Sequence, residues 1–196
     1  EVVQILQEDF PEHVDFQQVK EVYFYGAGCA NREICEELER SFSVVFTDAK
    51  IEVASDLLGA ARGFWGREQG VISVLGTGAS CCAYNGQKIT QQSISLGYIM
   101  GDEGGGADIG KRLLRKYFYG ELSEDLSEDL RMHGLCRDEF LKQVYRSERP
   151  AAYLADFVLY LAKRKDTPEV RGIVREAFQE FIDHHIKVVR EPQMGV

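Results

Sequence analysis

The sequence predicts an α/β protein, and three observations carry that expectation. Residues 21–53 read as strand, helix, strand. Residues 71–95 read as successive short strands around an Asn85-Gly86 turn. From residue 101 onward, apolar residues recur at helical spacing.

"QQVKEVYFYGAGC", residues 17–29, carries a strand over 21–25 that ends in Gly26-Ala27-Gly28. "NREICEELERSF" follows as a helix, with Asn31 as its cap and Ile34, Leu38 and Phe42 on one face. "SVVFTDAKIEV", residues 43–53, returns to strand character. "SDLLGAARGFWG" is a short helix capped by Ser55, with Asp56 in its first turn. "REQG", residues 67–70, is a polar connection and the expected domain boundary. Beyond it come strands in "VISVL", "SCCAYN" and "KITQQSIS", with Asn85-Gly86 as a hairpin signal. Helices are expected in "ADIGKRLLRKYFYGEL", "EDLSEDLRMHG", "CRDEFLKQVYRS", "PAAYLADFVLYLAKRK" and "PEVRGIVREAFQEFIDHHIKVV".

With 196 residues, 44% of them hydrophobic and 28% charged, the chain can form one large domain or two small ones around an ordinary core. It has no apolar run of about 18 residues, so no segment is expected to span a membrane. The stretch "EVVQILQEDFPEHVDF" is acidic and lacks the plan of a secretory signal. The net charge of −9, from 23 basic and 32 acidic residues, argues against a sequence-independent nucleic-acid binder. "KRLLRK" at 111–116 reads as the solvated last turns of a helix. The cysteines are Cys29, Cys35, Cys81, Cys82 and Cys136, odd in number and without a C-x-x-C pair. They suggest reduced thiols and a cytoplasmic protein. On a strand, Cys81 and Cys82 point to opposite faces. A zinc site lacks support, since His133 near Cys136 has no further ligand pair. His184-His185 read as surface and helix-end residues, and Phe64 and Trp65 as core.

"GVISVLGTGASCCAYNG", residues 70–86, places a hydroxyl between two glycines at the end of a strand. A Gly-x-Gly bend can turn N–H groups into one concavity that binds phosphate oxygens, to which Thr77 would add a donor. The tripeptide alone is equally a tight turn that needs glycine, and turn signals are the commoner meaning. No G-x-x-x-x-G-K-[ST] run occurs, and a G-x-G-x-x-G fingerprint would need glycine where Cys81 stands. Asp56 lies about twenty residues upstream, at a helix start. "GDEGGGADIG", residues 101–110, opens another helix, whose N–H groups and dipole attract anions. Each acid alone could simply complement a helix dipole or cap a helix.

Taken together, "SDLLGAARGFWGREQGVISVLGTGAS" and "SLGYIMGDEGGGADIG" resemble the N-acetylglucosamine kinase/BadF-type ATPase family, within the sugar kinase, actin and Hsp70 ATPase superfamily. "VYFYGAGC" at 22–29 is similar to the strand and turn that precede that block. The resemblance covers most of residues 20–120 and the helical tail only loosely. It implies a ribonuclease H-like, actin-type two-lobed ATPase fold, incomplete at both ends. Residues 1–69 would be the remainder of the N-terminal α/β lobe, and 70–196 a second lobe with a phosphate-binding hairpin and helices. The boundary would set base and phosphate loop across a cleft whose closure excludes water.

The resemblance further implies an ATP-dependent phosphotransferase acting on an amino sugar, with ATP and Mg²⁺ as cofactors and a small-molecule sugar as partner. Asp56 matches the catalytic carboxylate that accepts the proton of the attacking hydroxyl. Gly76, Thr77 and Gly78 match the second phosphate loop. Asp102 matches an acid that hydrogen-bonds the sugar, with Gly101 and Gly104 shaping its turn. Ala79-Ser80 stand where the family has Ser then Asn, so Ser80 would give a shorter contact to the sugar and the sugar itself is open. Gly26 and Gly28, at a strand end, are second-tier ligand candidates. The family's first phosphate loop, of Asp-Gly-Gly-x-[ST]-[KT] type, does not precede residue 20. Its adenosine loop would begin near "PQMGV", so the segment alone is expected to be inactive. Look-alike proteins are commonly homodimers, but no self-complementary patch assigns one here. An ATPase activator subunit, whose cysteines would ligate an iron–sulfur cluster, and a non-catalytic sugar- or nucleotide-binding regulator are the alternatives.

Overall fold

The computed structural model describes residues 15–29 and 31–190. The readings of the amino-terminal stretch before Asp15 and of "PQMGV" lie outside the described residues. The described residues divide into two compact units, one of those up to Gly70 with Asn85–Lys88, the other of Val71–Tyr84 with those from Ile89 onward. No described helix is long and apolar enough to cross a membrane.

In the first unit, β1 (Glu21–Gly26) and β2 (Lys50–Ser55) pair in parallel, Glu21 opposite Lys50 and Gly26 opposite Ser55. Helix α1 (Arg32–Val45) makes the crossover, and the Asn31 side chain caps it by accepting from Glu33 N–H at 2.8 Å. Its buried stripe runs through Cys35, Leu38, Phe42 and Val45, whereas Ile34 is exposed, contrary to the expected face. The expected strand over 43–53 begins only at Lys50. Phe42 and Phe46, with ring centroids 6.5 Å apart, both pack into the core with Val53, and that anchorage keeps the intervening β-branched residues helical.

Helix α2 (Asp56–Trp65) starts where β2 ends. Ser55 Oγ accepts from Leu58 N–H at 3.3 Å, and Gly66, at φ 58°, ends the helix. Leu57 and Ala61 are buried. Arg62 binds both Tyr25 Oη and the Glu52 carboxylate, which ties α2 to both strands. Trp65 is half-buried and packs on Gly70, but Phe64 is 74% exposed, so that half of the aromatic pair is not core.

The second sheet has the order β3 (Gln69–Leu75), β4 (Ala79–Asn85), β5 (Ile89–Gln92), with β4 and β5 antiparallel. At the expected hairpin, Asn85 Oδ1 accepts from Gln87 and Lys88 N–H, both at 3.0 Å, and Gly86 takes φ 90°. The strand does not continue through 93–95; Ser93 turns inward and is buried. Cys81 and Cys82 are both fully buried, so both faces of β4 are covered. Burial, with Cys81 adding to it, pushes the Cys82 thiol up to about 11. All five cysteines are free.

A short helix, α3 (Gly97–Met100), precedes the helical region of α4 (Gly106–Phe118), α5 (Glu124–Met132), α6 (Arg137–Arg146), α7 (Pro150–Ala162) and α8 (Pro168–Phe181). A single π turn, Ile182–Ile186, joins α8 to α9 (Lys187–Arg190). Leu113, Leu130, Leu161, Val170 and Ile173 form the main core. The 111–116 patch is therefore not simply solvated. Leu113 and Leu114 are buried, and Arg112 pairs with Asp108 and Glu180. His185 also departs from expectation. It is 1% exposed, because the extra residue of the π turn carries it inward.

Candidate functional site

The Gly76-Thr77-Gly78 bend is fixed by the start of α4. Gly76 N–H donates to Gly78 O at 2.9 Å, closing the bend. Gly106 N–H donates to Gly76 O at 2.8 Å, and Ala107 N–H to Thr77 O at 2.9 Å. The first-turn amides of α4 thus hold the loop, which corrects the expectation that they are free to attract an anion. With those carbonyls drawn toward the helix, Gly76 and Thr77 remain exposed. A Cβ at Gly76 would meet nothing within 4 Å. A cleft of about 520 Å³ opens there, lined by Gly76, Thr77, Gly106, Arg149, Ala155 and Phe178 among others.

Asp102 lies against the other side of the bend. A Cβ on Gly78 would stand 2.6 Å from Asp102 Oδ2, so only glycine lets the carboxylate approach that closely. Ser95 Oγ donates to Asp102 Oδ1 at 3.1 Å, and Gly105 N–H donates to Asp102 O at 2.9 Å. Asp102 takes φ 61°, alone among the described non-glycine residues in having positive φ. Such backbone strain persists where surrounding contacts enforce it. Gly101 is buried and donates its N–H to Gly97 O at 2.8 Å. Gly104, at φ 78°, packs on Phe181.

The remaining expected residues are placed separately. Ser80 is half-buried on β4, with Gln92 Nε2 at 3.5 Å from its hydroxyl. Asp56 belongs to the first unit and is exposed at the first position of α2, just beyond the carboxyl end of a parallel strand. Its Oδ1 accepts from Leu57 N–H at 2.8 Å. Gly26 ends β1, and Gly28 takes φ 85°.

Glu103, next to Asp102 in the chain, meets His185 and through it Ser93, two residues to which the sequence reading gave no part in the site. Glu103 Oε2 lies 3.1 Å from His185 Nε2, and His185 Nδ1 lies 2.7 Å from Ser93 Oγ. Burial alone would raise the Glu103 carboxyl. Its own backbone N–H and the imidazole outweigh that and hold it below the usual carboxylate value. The partners are 82 and 92 positions apart, so no local pattern in the sequence could pair them.

No protein-family model matches the chain. A curated relative, the N-acetylmuramic acid/N-acetylglucosamine kinase of Clostridium acetobutylicum, is 29% identical over 161 residues, which span 77% of this chain and 51% of that protein. A solved structure from Porphyromonas gingivalis, named provisionally as an N-acetylglucosamine kinase, matches with a TM-score of 0.82 at 35% identity, over 88% of this chain and 61% of that one. The chain has an actin-like ATPase fold similar to that of N-acetylglucosamine kinases. A second provisionally named N-acetylglucosamine kinase, from Chromobacterium violaceum, matches at 25% identity with a TM-score of 0.55, over 79% of this chain and 56% of that one. The chain spans about half the length of the curated relative it matches. The actin-type fold expected of the sequence is the fold these likenesses give.

Proposed function

We propose that the protein is an ATP-dependent kinase of an amino sugar. The observation that carries this reading is the packing of the Asp102 carboxylate against Gly78, which joins a hydroxyl-reading acid to a glycine bend open to a cleft. Likeness to kinases acting on N-acetylglucosamine supports it and favours it over the activator and regulator readings.

In this reading, Thr77 N–H, Gly78 N–H and the Thr77 hydroxyl hold the β- and γ-phosphates of ATP, Gly76 shapes the loop because its N–H closes the bend, and the cleft beside Gly106 and Phe178 accommodates the rest of the nucleotide. Asp102 and Ser80 orient the sugar through its hydroxyls, the carboxylate by charge-assisted hydrogen bonds. A sugar hydroxyl oxygen attacks the γ-phosphorus. The bond from that phosphorus to the β–γ bridging oxygen breaks, ADP leaves with the electron pair, and the hydroxyl proton passes to Asp56. Transfer of this kind depends chiefly on positioning and charge neutralisation. Mg²⁺, when bound, supplies part of that neutralisation. The described residues contain no group of three acids, histidines or cysteines that fits a metal ion, so none is assigned to Mg²⁺ and no step runs through it.

A coupled ADP-release assay on the full-length protein, across glucosamine, N-acetylglucosamine and glucose, tests the proposal. An amino sugar is expected to raise turnover well above the sugar-free rate; no rise with any of the three would defeat the kinase reading. The two sides of the bend should also separate. Gly76→Ala puts a methyl group into open space on the phosphate side. It should raise the KM for ATP by roughly tenfold, equivalent to about 1.4 kcal/mol, with an unchanged melting temperature. Gly78→Ala meets the Asp102 carboxylate and should raise the KM for sugar instead. Steady-state kinetics with each substrate varied in turn distinguish the two outcomes.

A further inference from the structure

The hydrogen-bonded chain behind Asp102 takes no part in the chemistry above. Cys81 N–H lies 3.1 Å from Ser93 Oγ, and a backbone N–H can only donate, so Ser93 Oγ accepts there. Its second contact is with His185 Nδ1, at 2.7 Å. On the other side of the ring, Nε2–H donates to the Glu103 carboxylate at 3.1 Å. Both ring nitrogens thus have a partner. The ring is sealed as well as satisfied, stacked on Phe181 with centroids 5.0 Å apart at 25°.

One imidazole thus grips both ends of the segment 93–103. Between the two grips the segment is held at Tyr98, which packs on Leu114 and Leu154 and whose carbonyl accepts from Lys111 Nζ, and by the Ser95–Asp102 bond, whereas Ile94, Leu96, Ile99 and Met100 are exposed and α3 is a single turn. At its far end stands Asp102, in the left-handed conformation that an L-residue keeps only under constraint. The π turn exists in the same place; an uninterrupted α-helix would rotate residue 185 away from this position.

We infer that His185 is a positioning residue: by clasping Glu103 to Ser93 it holds the Asp102 turn in the form that engages the sugar. The inference rests on the sugar-binding role proposed for Asp102. A Ser–His–Glu series also invites comparison with a hydrolytic triad, but Ser93 is 3% exposed and closed to a substrate.

Two amide substitutions divide the clasp. In His185→Gln the amide nitrogen reaches the position of Nε2 and keeps the donation to Glu103. In His185→Asn the amide sits near Nδ1, keeps Ser93 and falls short of Glu103. In the full-length protein, the Asn variant is expected to raise the KM for sugar about tenfold, the worth of one charge-assisted hydrogen bond. The Gln variant should stay within about twofold of the native value, and the KM for ATP should be unchanged in both. Hydrogen exchange of residues 93–103 without sugar should be faster in the Asn variant than in the Gln variant. If the Asn variant does not fold, Glu103→Ala is expected to show the same split between sugar and ATP. Equal exchange and equal kinetics in the two His185 variants, or a parallel rise in both KM values, overturns the clasp. A difference in exchange, in a protein whose ADP release no sugar stimulates, upholds the clasp and removes the sugar role of Asp102.

Discussion

Replacing Asp56 by Asn should lower kcat by about 10²–10⁴-fold, the range for loss of a positioned general base, while the sugar still binds almost normally. The substitution is nearly silent in structure. Asp56 Oδ1 accepts from Leu57 N–H, and an amide oxygen in the same place can do likewise. Ser55 still caps the helix through Leu58 N–H. What is lost is one negative charge at a helix start, about 0.3–1 kcal/mol of stability, and the only atom proposed to take the hydroxyl proton. Single-turnover phosphoryl transfer measures the first effect. Equilibrium binding of sugar without ATP measures the second. Native turnover in the Asn variant would remove Asp56 from the reaction, and lost sugar binding with little change in kcat would make it a binding residue.

The features legible in the sequence are those set by neighbours along the chain. Asn31 and Ser55 cap their helices because a cap needs only its own side chain and an amide two or three residues on. Asn85-Gly86 turns the hairpin for the same reason. The Gly76-Thr77-Gly78 bend and Asp102 were legible as motifs. The bonds that join the bend to α4 were not, because glycine and alanine amides make them and no side chain marks the partner. The helix through Ser43 to Val45 was misread because strand propensity is a weak prior beside Phe42 and Phe46 packing into one core. His185 was misread for a different reason. Periodicity assumes 3.6 residues per turn, and a π turn changes the phase at the one histidine that matters. Polar pairs brought together across 82 or 92 residues leave no trace at either position.

Gly110→Ala should be the most damaging of the conservative changes to stability, against what helix propensity alone predicts. In the interior of α4, alanine is favoured over glycine by about 1 kcal/mol. Here α4 and α7 approach so closely that a Cβ on Gly110 would stand 1.9 Å from Leu154 O. One turn earlier, a Cβ on Gly106 would stand 2.9 Å from Ala155 Cβ. A helix carbonyl in mid-span cannot swing aside as a side chain tip can, so the helices must part, at an overpacking cost of about 1–3 kcal/mol or more. Sterics outweigh propensity, and urea denaturation should show a net loss of about 2 kcal/mol. Gly172 in α8 is the control, since its Cβ would meet nothing within 4 Å. Gly172→Ala should therefore gain about 0.4–1 kcal/mol. Because Gly106 and Ala107 amides hold the bend proposed to bind phosphate, parting α4 from α7 should also raise the KM for ATP, which the Gly172 variant leaves alone. A Gly110→Ala protein as stable as the native one would mean that the two helices do not meet at this distance, and the anchorage of the bend by α4 would have to be rebuilt with them.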